Sequence, residues 1–351
     1  MHKIIVDCER MKYPHTGLYH YCLQLGLSLR KAVDPQKEEL SFYVRPSEHN
    51  IFGKDANYIA QHSLQKFVLP SLRGYKIWHA TYQGTDYFPF HRKIKIAFTI
   101  HDLNFMHDES KQDFKREREL KKLQRKIDRA DHIIAISEFT LQDIKKYLNL
   151  KTSASVIYNG CNFSSIVNTT RPQAAPEQKF LYTIGTITGK KNFHVLPALL
   201  VNNDLRLIIS GIVQSEPYKE KIIEEANRHG VMDRVIFTDS VSENDKQWYM
   251  QNCEAFVFPS LAEGFGLPVI EAMHFGKPVI LSTLTALPEI GGDAAYYFQN
   301  FDAGHMREVL QQSLQHYISD PGMKEKIKQR AAFFNWEKIA AQYVEVYRSL
   351  Y

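Results

Sequence analysis

Two glutamates, Glu263 and Glu271, stand on either side of a turn that reads Gly264-Phe265-Gly266-Leu267-Pro268. The turn follows the apolar run Ala255-Phe256-Val257-Phe258, which has the character of a buried parallel strand. Pro268 suits the first helical position, because its missing N–H would have no intrahelical partner in any case. A strand, a glycine turn and a helix start together aim backbone N–H groups at one point, and the glycines let a ligand approach the main chain. An anion is well placed there, where hydrogen-bond donors and the helix dipole act in the same sense. Carboxylates beside such a point suit hydroxyl groups. The combination fits a phosphate-bearing ligand with hydroxyl-rich groups around it, which is the chemistry of a nucleotide sugar.

A second constellation, Gly185-Thr186-Ile187-Thr188-Gly189-Lys190-Lys191-Asn192, follows another apolar strand and reads as the start of a helix. It is not a Walker loop, since only three residues separate the glycines and no Ser or Thr follows the lysines. Lys190 and Lys191 read as a clamp for a departing diphosphate; the plainer alternative is a pair of solvated lysines. A glycosidase also uses two carboxylates, but it needs them flanking the scissile bond and has no use for a phosphate cradle. His101 ends the strand-like run Ile96 to Ile100, and Thr16-Gly17 forms a short loop after the first strand. Both therefore stand where ligands bind in open parallel sheets, at the carboxyl ends of strands.

The elements that must position these residues alternate along the whole chain as short β-type runs and helix-period segments, the pattern of a parallel α/β protein. Strands are expected near 3–7, 40–44, 76–79, 94–100, 132–136 and 155–158, and again near 180–184, 205–210, 235–238, 255–258, 278–281 and 295–298. A helix is expected from Leu18 to Lys31. Another, from Lys115 to Arg129, should turn Phe114, Leu120, Leu123 and Ile127 inward and a Glu117/Lys121 pair outward. The segment 162–178, rich in Ser, Asn, Thr, Pro and Gln, reads as a linker. At 351 residues the chain is long enough for two domains.

No run approaches the ~18 apolar residues of a spanning helix, and Ile4-Ile5-Val6 is too short for a signal peptide, so a cytoplasmic protein is expected. The four cysteines, Cys8, Cys22, Cys161 and Cys253, are scattered and read as reduced core thiols. Charge is uneven: residues 1–160 carry 26 Lys/Arg against 18 Asp/Glu, whereas the remainder carries 18 against 21. The basic run at 115–129 accounts for much of the excess. It reads either as a solvated helix face or as a surface for anionic lipid or a diphosphate-linked acceptor.

Taken together, several stretches resemble the retaining GT-B glycosyltransferases of family 4, in particular their bacterial, mannosyltransferase-like group 1 members. They are Phe258-Pro259-Ser260 with Glu263 to Pro268 and Glu271-Ala272-Met273; Gly276 to Ile280; Thr99 to Leu103; Ala130-Asp131 with Ala135 to Thr140; Ile157 to Gly160; Gly185-Thr186 with Lys190-Lys191-Asn192; and Leu287 to Ile290. The resemblance implies two Rossmann-like domains facing a central cleft: residues 1–162 for the acceptor, 163–335 for the nucleotide sugar, and a helix 336–351 crossing back to the first domain. It implies that Glu271 binds the ribose, that Glu263 touches the donor sugar, and that Lys191, with Lys190, neutralises the diphosphate. His101 would lie beside the sugar ring. Thr16, Gly17, Gly185, Thr186, Gly264, Phe265, Gly266 and Leu267 would complete the donor site. The second glycine usual after the first strand is replaced here, with Leu18-Tyr19 following Gly17, and Lys190 stands where the family more often has Arg, a point charge in place of a planar fork.

The reaction implied is hexosyl transfer from a nucleoside diphosphate sugar to a saccharide or lipid-linked acceptor in surface polysaccharide synthesis. GDP-mannose is the preferred donor, because Gly185-Thr186 with Leu287-Pro288-Glu289 resembles the mannosyltransferase branch. The Asp-x-Asp pattern of metal-dependent transferases is absent from the sequence, so neither a metal nor a cofactor is expected, and no nucleic-acid partner. A nucleotide-sugar epimerase or phosphorylase of GT-B fold, or a non-catalytic GT-B partner protein, are the alternatives.

Overall fold

The structure is a computed structural model, which describes residues 1–14, 16–90, 93–107, 112–161 and 169–351. Contacts divide the chain into two units, Met1–Asn162 with Asn335–Tyr351, and Phe163–Phe334. Of the linker expected at 162–178, residues 162–168 lie outside the described residues. Thr170 is pinned to the second unit, its N–H donating to Asn244 Oδ1 at 3.2 Å.

The first unit is built on seven parallel strands: β1 (His2–Asp7), β2 (Glu38–Val44), β3 (Asn57–Ala60), β4 (Tyr75–Ala80), β5 (Lys95–Ile100), β6 (His132–Ala135) and β7 (Ser153–Val156). They lie in the order β3-β2-β1-β4-β5-β6-β7. Side chains alternate along each strand, so the two faces build separate cores. Ile4, Val6, Phe42 and Val44 pack under the helices Gly17–Ala32 and Trp336–Arg348. Ile5, Tyr43, Trp78 and Phe98 form the other core, closed by Leu123 and Ile127 of the helix Asp113–Ile127. β3 was not expected from the sequence. It is a short edge strand, polar at its start, with no fully buried residue, so it lacks the apolar run that marks the others.

The helix Asp113–Ile127 corrects one expectation. Leu123 and Ile127 are buried and Leu120 is partly so, but Phe114 is 61% exposed. Phe114 sits in the first turn, beyond the apolar core that Leu120, Leu123 and Ile127 reach, with the Lys115 ammonium 5.9 Å from its ring centroid. The Glu117/Lys121 pair is outward, at 3.9 Å and largely exposed.

The second unit carries six parallel strands: β8 (Phe180–Ile184), β9 (Arg206–Ser210), β10 (Val235–Phe237), β11 (Ala255–Phe258), β12 (Val279–Ser282) and β13 (Tyr296–Phe298). Their order is β10-β9-β8-β11-β12-β13. Each of β8, β9, β11 and β12 is an almost wholly buried apolar run, as a parallel strand covered on both faces should be. All four cysteines are free, buried thiols. Among the described residues no helix is long and apolar enough to cross a membrane.

Candidate functional site

In the second sheet the chain builds outward from β8 to β10, returns, and builds outward again from β11 to β13. The order therefore reverses between β8 and β11. Loops leaving neighbouring strands in opposite directions open a crevice there, the usual ligand position in parallel sheets. Residues 185–192 leave β8 and residues 259–266 leave β11, so the two constellations singled out by chemistry share this point.

The structure ties them together. The Lys190 carbonyl accepts from the Leu261 N–H at 2.9 Å and from the Ser260 hydroxyl at 3.2 Å. Lys191 Nζ lies 2.6 Å from Glu263 Oε1, and Ser260 Oγ donates to the same oxygen at 2.6 Å. Glu263 is held from behind as well, its N–H donating to Thr285 Oγ1 at 2.9 Å. The Lys191 and Glu263 side chains are only 13% and 12% exposed. Burial by itself would raise the Glu263 carboxyl; the charges of Lys191 and Lys190 and the hydrogen bonds from Lys191 and Ser260 outweigh it and hold the group below the usual carboxylate range. The Lys191 stem runs over Gly185, where an added Cβ would meet Cε at 3.0 Å. Thr186 and Lys190 are exposed.

Glu271 has a lysine of its own. Lys246, on the helix Glu243–Asn252, places Nζ 2.9 Å from Glu271 Oε1 and 2.9 Å from Glu243 Oε2. Its burial would lower the ammonium, but Glu271 and Glu243 outweigh it and raise it above the ordinary lysine value. Sequence reasoning missed Lys246. The Ser242 cap and the Glu243/Lys246 spacing were visible, yet its pairing with a residue beyond the next strand is a tertiary fact.

Between the two ion pairs stands the turn. Gly266 caps the helix Leu267–His274 at φ +119°, a left-handed conformation that favours glycine, and Pro268 falls at the second helical position, one later than expected. Gly264, Phe265 and Gly266 are buried and Leu267 half-buried. The Phe265 ring packs edge-on against Phe334 at 5.6 Å, supporting the turn from the core. The helix start expected at Lys190 is not an α-helix. Gly189–Lys191 is one 3-10 turn, Asn192 turns left-handed at φ 59°, and a second 3-10 stretch, Phe193–Leu200, contains Pro197, which has no N–H to give. The segment therefore presents lysine side chains and no α-helix dipole.

In the first unit the order reverses between β1 and β4. Thr16 caps the helix Gly17–Ala32, its Oγ1 accepting from the Tyr19 N–H at 3.3 Å, and a Cβ added at Gly17 would meet nothing within 4 Å. His101 follows β5 directly and is 8% exposed. Its Nε2 donates to the Thr81 carbonyl at 2.8 Å, which leaves Nδ1 as the acceptor, and the Tyr21 ring meets it edge-on at 4.7 Å. Burial holds the imidazole below its ordinary value, against the pull of the Thr81 carbonyl and Asp102. Gln83 and Thr140 hold its backbone: its N–H donates to Gln83 Oε1 at 3.0 Å, and its carbonyl accepts from Thr140 Oγ1 at 3.2 Å.

Asp7, at the end of β1, accepts from the Glu9 N–H at 3.1 Å and from Thr85 Oγ1 at 2.9 Å; complete burial, with Glu9 beside it, pushes its carboxyl up to about 8. Among the described residues no group of three His, Cys, Asp or Glu is placed to hold a metal ion.

Comparison with known proteins places this geometry among sugar transferases. Residues 168–332 match the family described as glycosyl transferases group 1, and residues 32–165 match that described as glycosyltransferase family 4. The O-antigen chain mannosyltransferase B of Escherichia coli is 27% identical, with 99% of this chain and 100% of that protein covered. The serotype-specific mannosyltransferase WbdA of Escherichia coli is 28% identical over 64% of this chain; the match spans only 29% of that longer protein. Among solved structures, Anabaena Alr3699/HepE in complex with UDP and glucose superposes with a TM-score of 0.76 at 16% identity, covering 99% of this chain and all of the other, a likeness of fold.

Proposed function

The chain belongs to the group 1 glycosyltransferases of GT-B fold, and from that premise we propose that it transfers a mannosyl group from GDP-mannose to a saccharide or lipid-linked acceptor, with retention and without a divalent metal. The observation that carries the reading is the pair of lysine–carboxylate contacts, Lys191–Glu263 and Lys246–Glu271, on either side of the Gly266 turn at the reversal of the second sheet. The mannosyl and polysaccharide assignments draw support from the names of the relatives reported above.

In this reading the ribose hydroxyls donate to Glu271, whose position Lys246 fixes. The diphosphate takes the ammonium of Lys191 and the backbone N–H groups near Gly266. Glu263 binds sugar hydroxyls. As the bond from the anomeric carbon to the phosphate oxygen breaks, its electron pair goes to that oxygen, and the charge that develops is what Lys191 and the backbone donors stabilise. The acceptor oxygen bonds to the anomeric carbon on the same face, and its proton passes to the departing phosphate. No side chain is required as a covalent nucleophile. Lysine supplies the cation that a metal supplies elsewhere.

The acceptor is proposed to lie at a membrane, with the basic helix Asp113–Ile127 docked on anionic lipid. A thermal-shift screen of GDP-, UDP- and ADP-sugars tests the donor assignment, since a bound ligand raises stability by RT ln(1 + [L]/Kd). Stabilisation by GDP-mannose above the other sugars is expected, and a preference for a UDP- or ADP-sugar overturns the donor. The alternatives, a nucleotide-sugar epimerase, a phosphorylase or a non-catalytic partner protein, have no observation that favours them.

A further inference from the structure

The loop that leaves β12 bends at a residue whose side chain opposes the bend. Thr285, between β12 and the short helix Leu287–Gly291, sits at φ +55°. Glycine enters this left-handed region freely, and asparagine and aspartate enter it more readily than most residues. A side chain branched at Cβ crowds its own backbone there. Among the described residues the other non-glycine positions at positive φ are Asn50, Asn192, Asn202 and Asp239, so Thr285 is the branched one. Strain of this kind persists only where the surroundings impose it.

The surroundings here are the loop that carries Glu263. Ser282 Oγ, at the end of β12, donates to the Ser260 carbonyl at 2.6 Å, and the Leu284 N–H donates to Ser282 Oγ at 3.4 Å. Thr285 Oγ1 then accepts from the Glu263 N–H at 2.9 Å. Past the bend, a Cβ added at Gly266 would meet Leu287 Cδ2 at 3.0 Å, so the two loops also touch beyond Glu263. The loop after β12 thus lies as a splint along the loop after β11, fastened before, at and after that glutamate. Lys191 and Ser260 hold the Glu263 carboxylate, whereas Thr285 holds its main chain. Glycine at position 285 would take the same bend without strain, but it has no oxygen to offer. Valine would keep the branched shape and leave the Glu263 N–H without that acceptor.

We infer that Thr285 is a positioning residue for the transfer: its hydroxyl fixes the main chain of Glu263, and with it the direction in which that carboxylate meets the donor sugar. This role rests on the assignment of Glu263 to sugar hydroxyls. Free nucleoside diphosphate carries no sugar for Glu263 to meet. The hydroxyl of Thr285 therefore matters for the sugar donor and not for the nucleotide alone.

Three single variants of the full chain separate the oxygen from the branch. Thr285→Ser keeps the hydroxyl and loses the branch, Thr285→Val keeps the branch and loses the oxygen, and Thr285→Gly loses both. Each is measured for transfer from GDP-mannose, for GDP affinity by calorimetry and for its urea midpoint. Thr285→Ser should retain turnover. Thr285→Val and Thr285→Gly should both lower kcat/KM for GDP-mannose by about tenfold, with GDP affinity unchanged. Of these two the glycine variant should have the higher urea midpoint, so that activity follows the oxygen and stability follows the bend. In a Glu263→Gln background, Thr285→Val should cost little more, because the group it positions has already gone.

A full additional loss in that background means that Thr285 acts elsewhere, and GDP affinity falling in step with turnover means that the hydroxyl only holds the loop together; either result overturns the positioning role. An impaired Glu263→Gln enzyme beside an unimpaired Thr285→Val enzyme overturns it while leaving the assignment of Glu263 intact. A Glu263→Gln enzyme with wild-type turnover overturns that assignment, and the role of Thr285 with it.

Discussion

Replacing Lys191 by alanine should damage turnover and fold in ways that can be separated. Its ammonium is 2.6 Å from Glu263 Oε1, and both side chains are nearly nine-tenths buried, so the substitution leaves a carboxylate facing Ser260 but no cation on that oxygen. Breaking a buried ion pair by deleting one partner costs about 3–5 kcal/mol; partial exposure of this pair places the expected loss of folding stability at the lower end. Removing one electrostatic stabiliser of a leaving group costs about 2.7–4 kcal/mol at the transition state, or about a hundredfold or more in kcat.

The two effects differ in their dependence on pH. In the folded wild type, Glu263 titrates below the usual carboxylate range, so its contribution to stability is complete above that range and is lost as pH falls through the lower folded value. Without Lys191 that acid-side loss should move upward in pH. Lys191→Ala/Glu263→Gln, which removes both charges, should recover most of the stability and none of the turnover. Urea denaturation across the acid range, with initial rates of donor consumption, gives both readouts. A Lys191→Ala enzyme with near wild-type kcat contradicts the role of Lys191 at the leaving group, and so does a double variant that regains turnover.

Other consequences can be checked separately. Glu271→Ala should weaken free nucleoside diphosphate by roughly 1–3 kcal/mol, and Lys246→Met should weaken it in the same direction because the carboxylate loses its fixed position; calorimetry showing unchanged affinity for both would move the ribose site elsewhere. Transfer should persist in excess EDTA, and a rate that collapses on chelation and returns with manganese contradicts metal independence. Asp7 is pushed up to about 8 in the folded state, far above an ordinary carboxylate, so stability should fall as pH rises from about 4 towards 8, while the unfolded chain ionises and the folded chain does not. Asp7→Asn should flatten that slope in urea midpoints between about pH 4 and 8, and an unaltered slope would mean that another group sets it.

Most of the architecture was legible because parallel strands covered on both faces must be apolar runs, and β8, β9, β11 and β12 are such runs bounded by turn residues. β3 escaped because an edge strand needs no such run. Phe114 was misplaced for a related reason: helical periodicity gives the side of a helix that faces the core, not how far along its axis the core extends. At the candidate site, residue types and spacing brought Glu263, Gly266 and Lys191 to one sheet reversal, since short loops from adjacent strands have little freedom. Ser260, Thr285 and Lys246, which hold the carboxylates in place, were not legible as partners. Their contacts depend on how strands order themselves in the sheet. The 3-10 geometry at Lys190–Lys191 was hidden as well, because only the left-handed Asn192 reveals that the turn does not propagate into an α-helix.

The activity proposed for the chain is movement of a hexosyl group from a nucleoside diphosphate sugar to an acceptor hydroxyl with the donor's anomeric configuration kept. The direct measurement is nuclear magnetic resonance of the reaction of GDP-α-mannose with mannosyl saccharides, read at the anomeric one-bond carbon–hydrogen coupling. Retaining transfer predicts an α-linked product that forms only when acceptor is present, together with one GDP for each linkage. A β-linked product contradicts retention, and conversion of the donor to an isomer or a sugar phosphate without any new glycosidic bond contradicts the transferase reading itself.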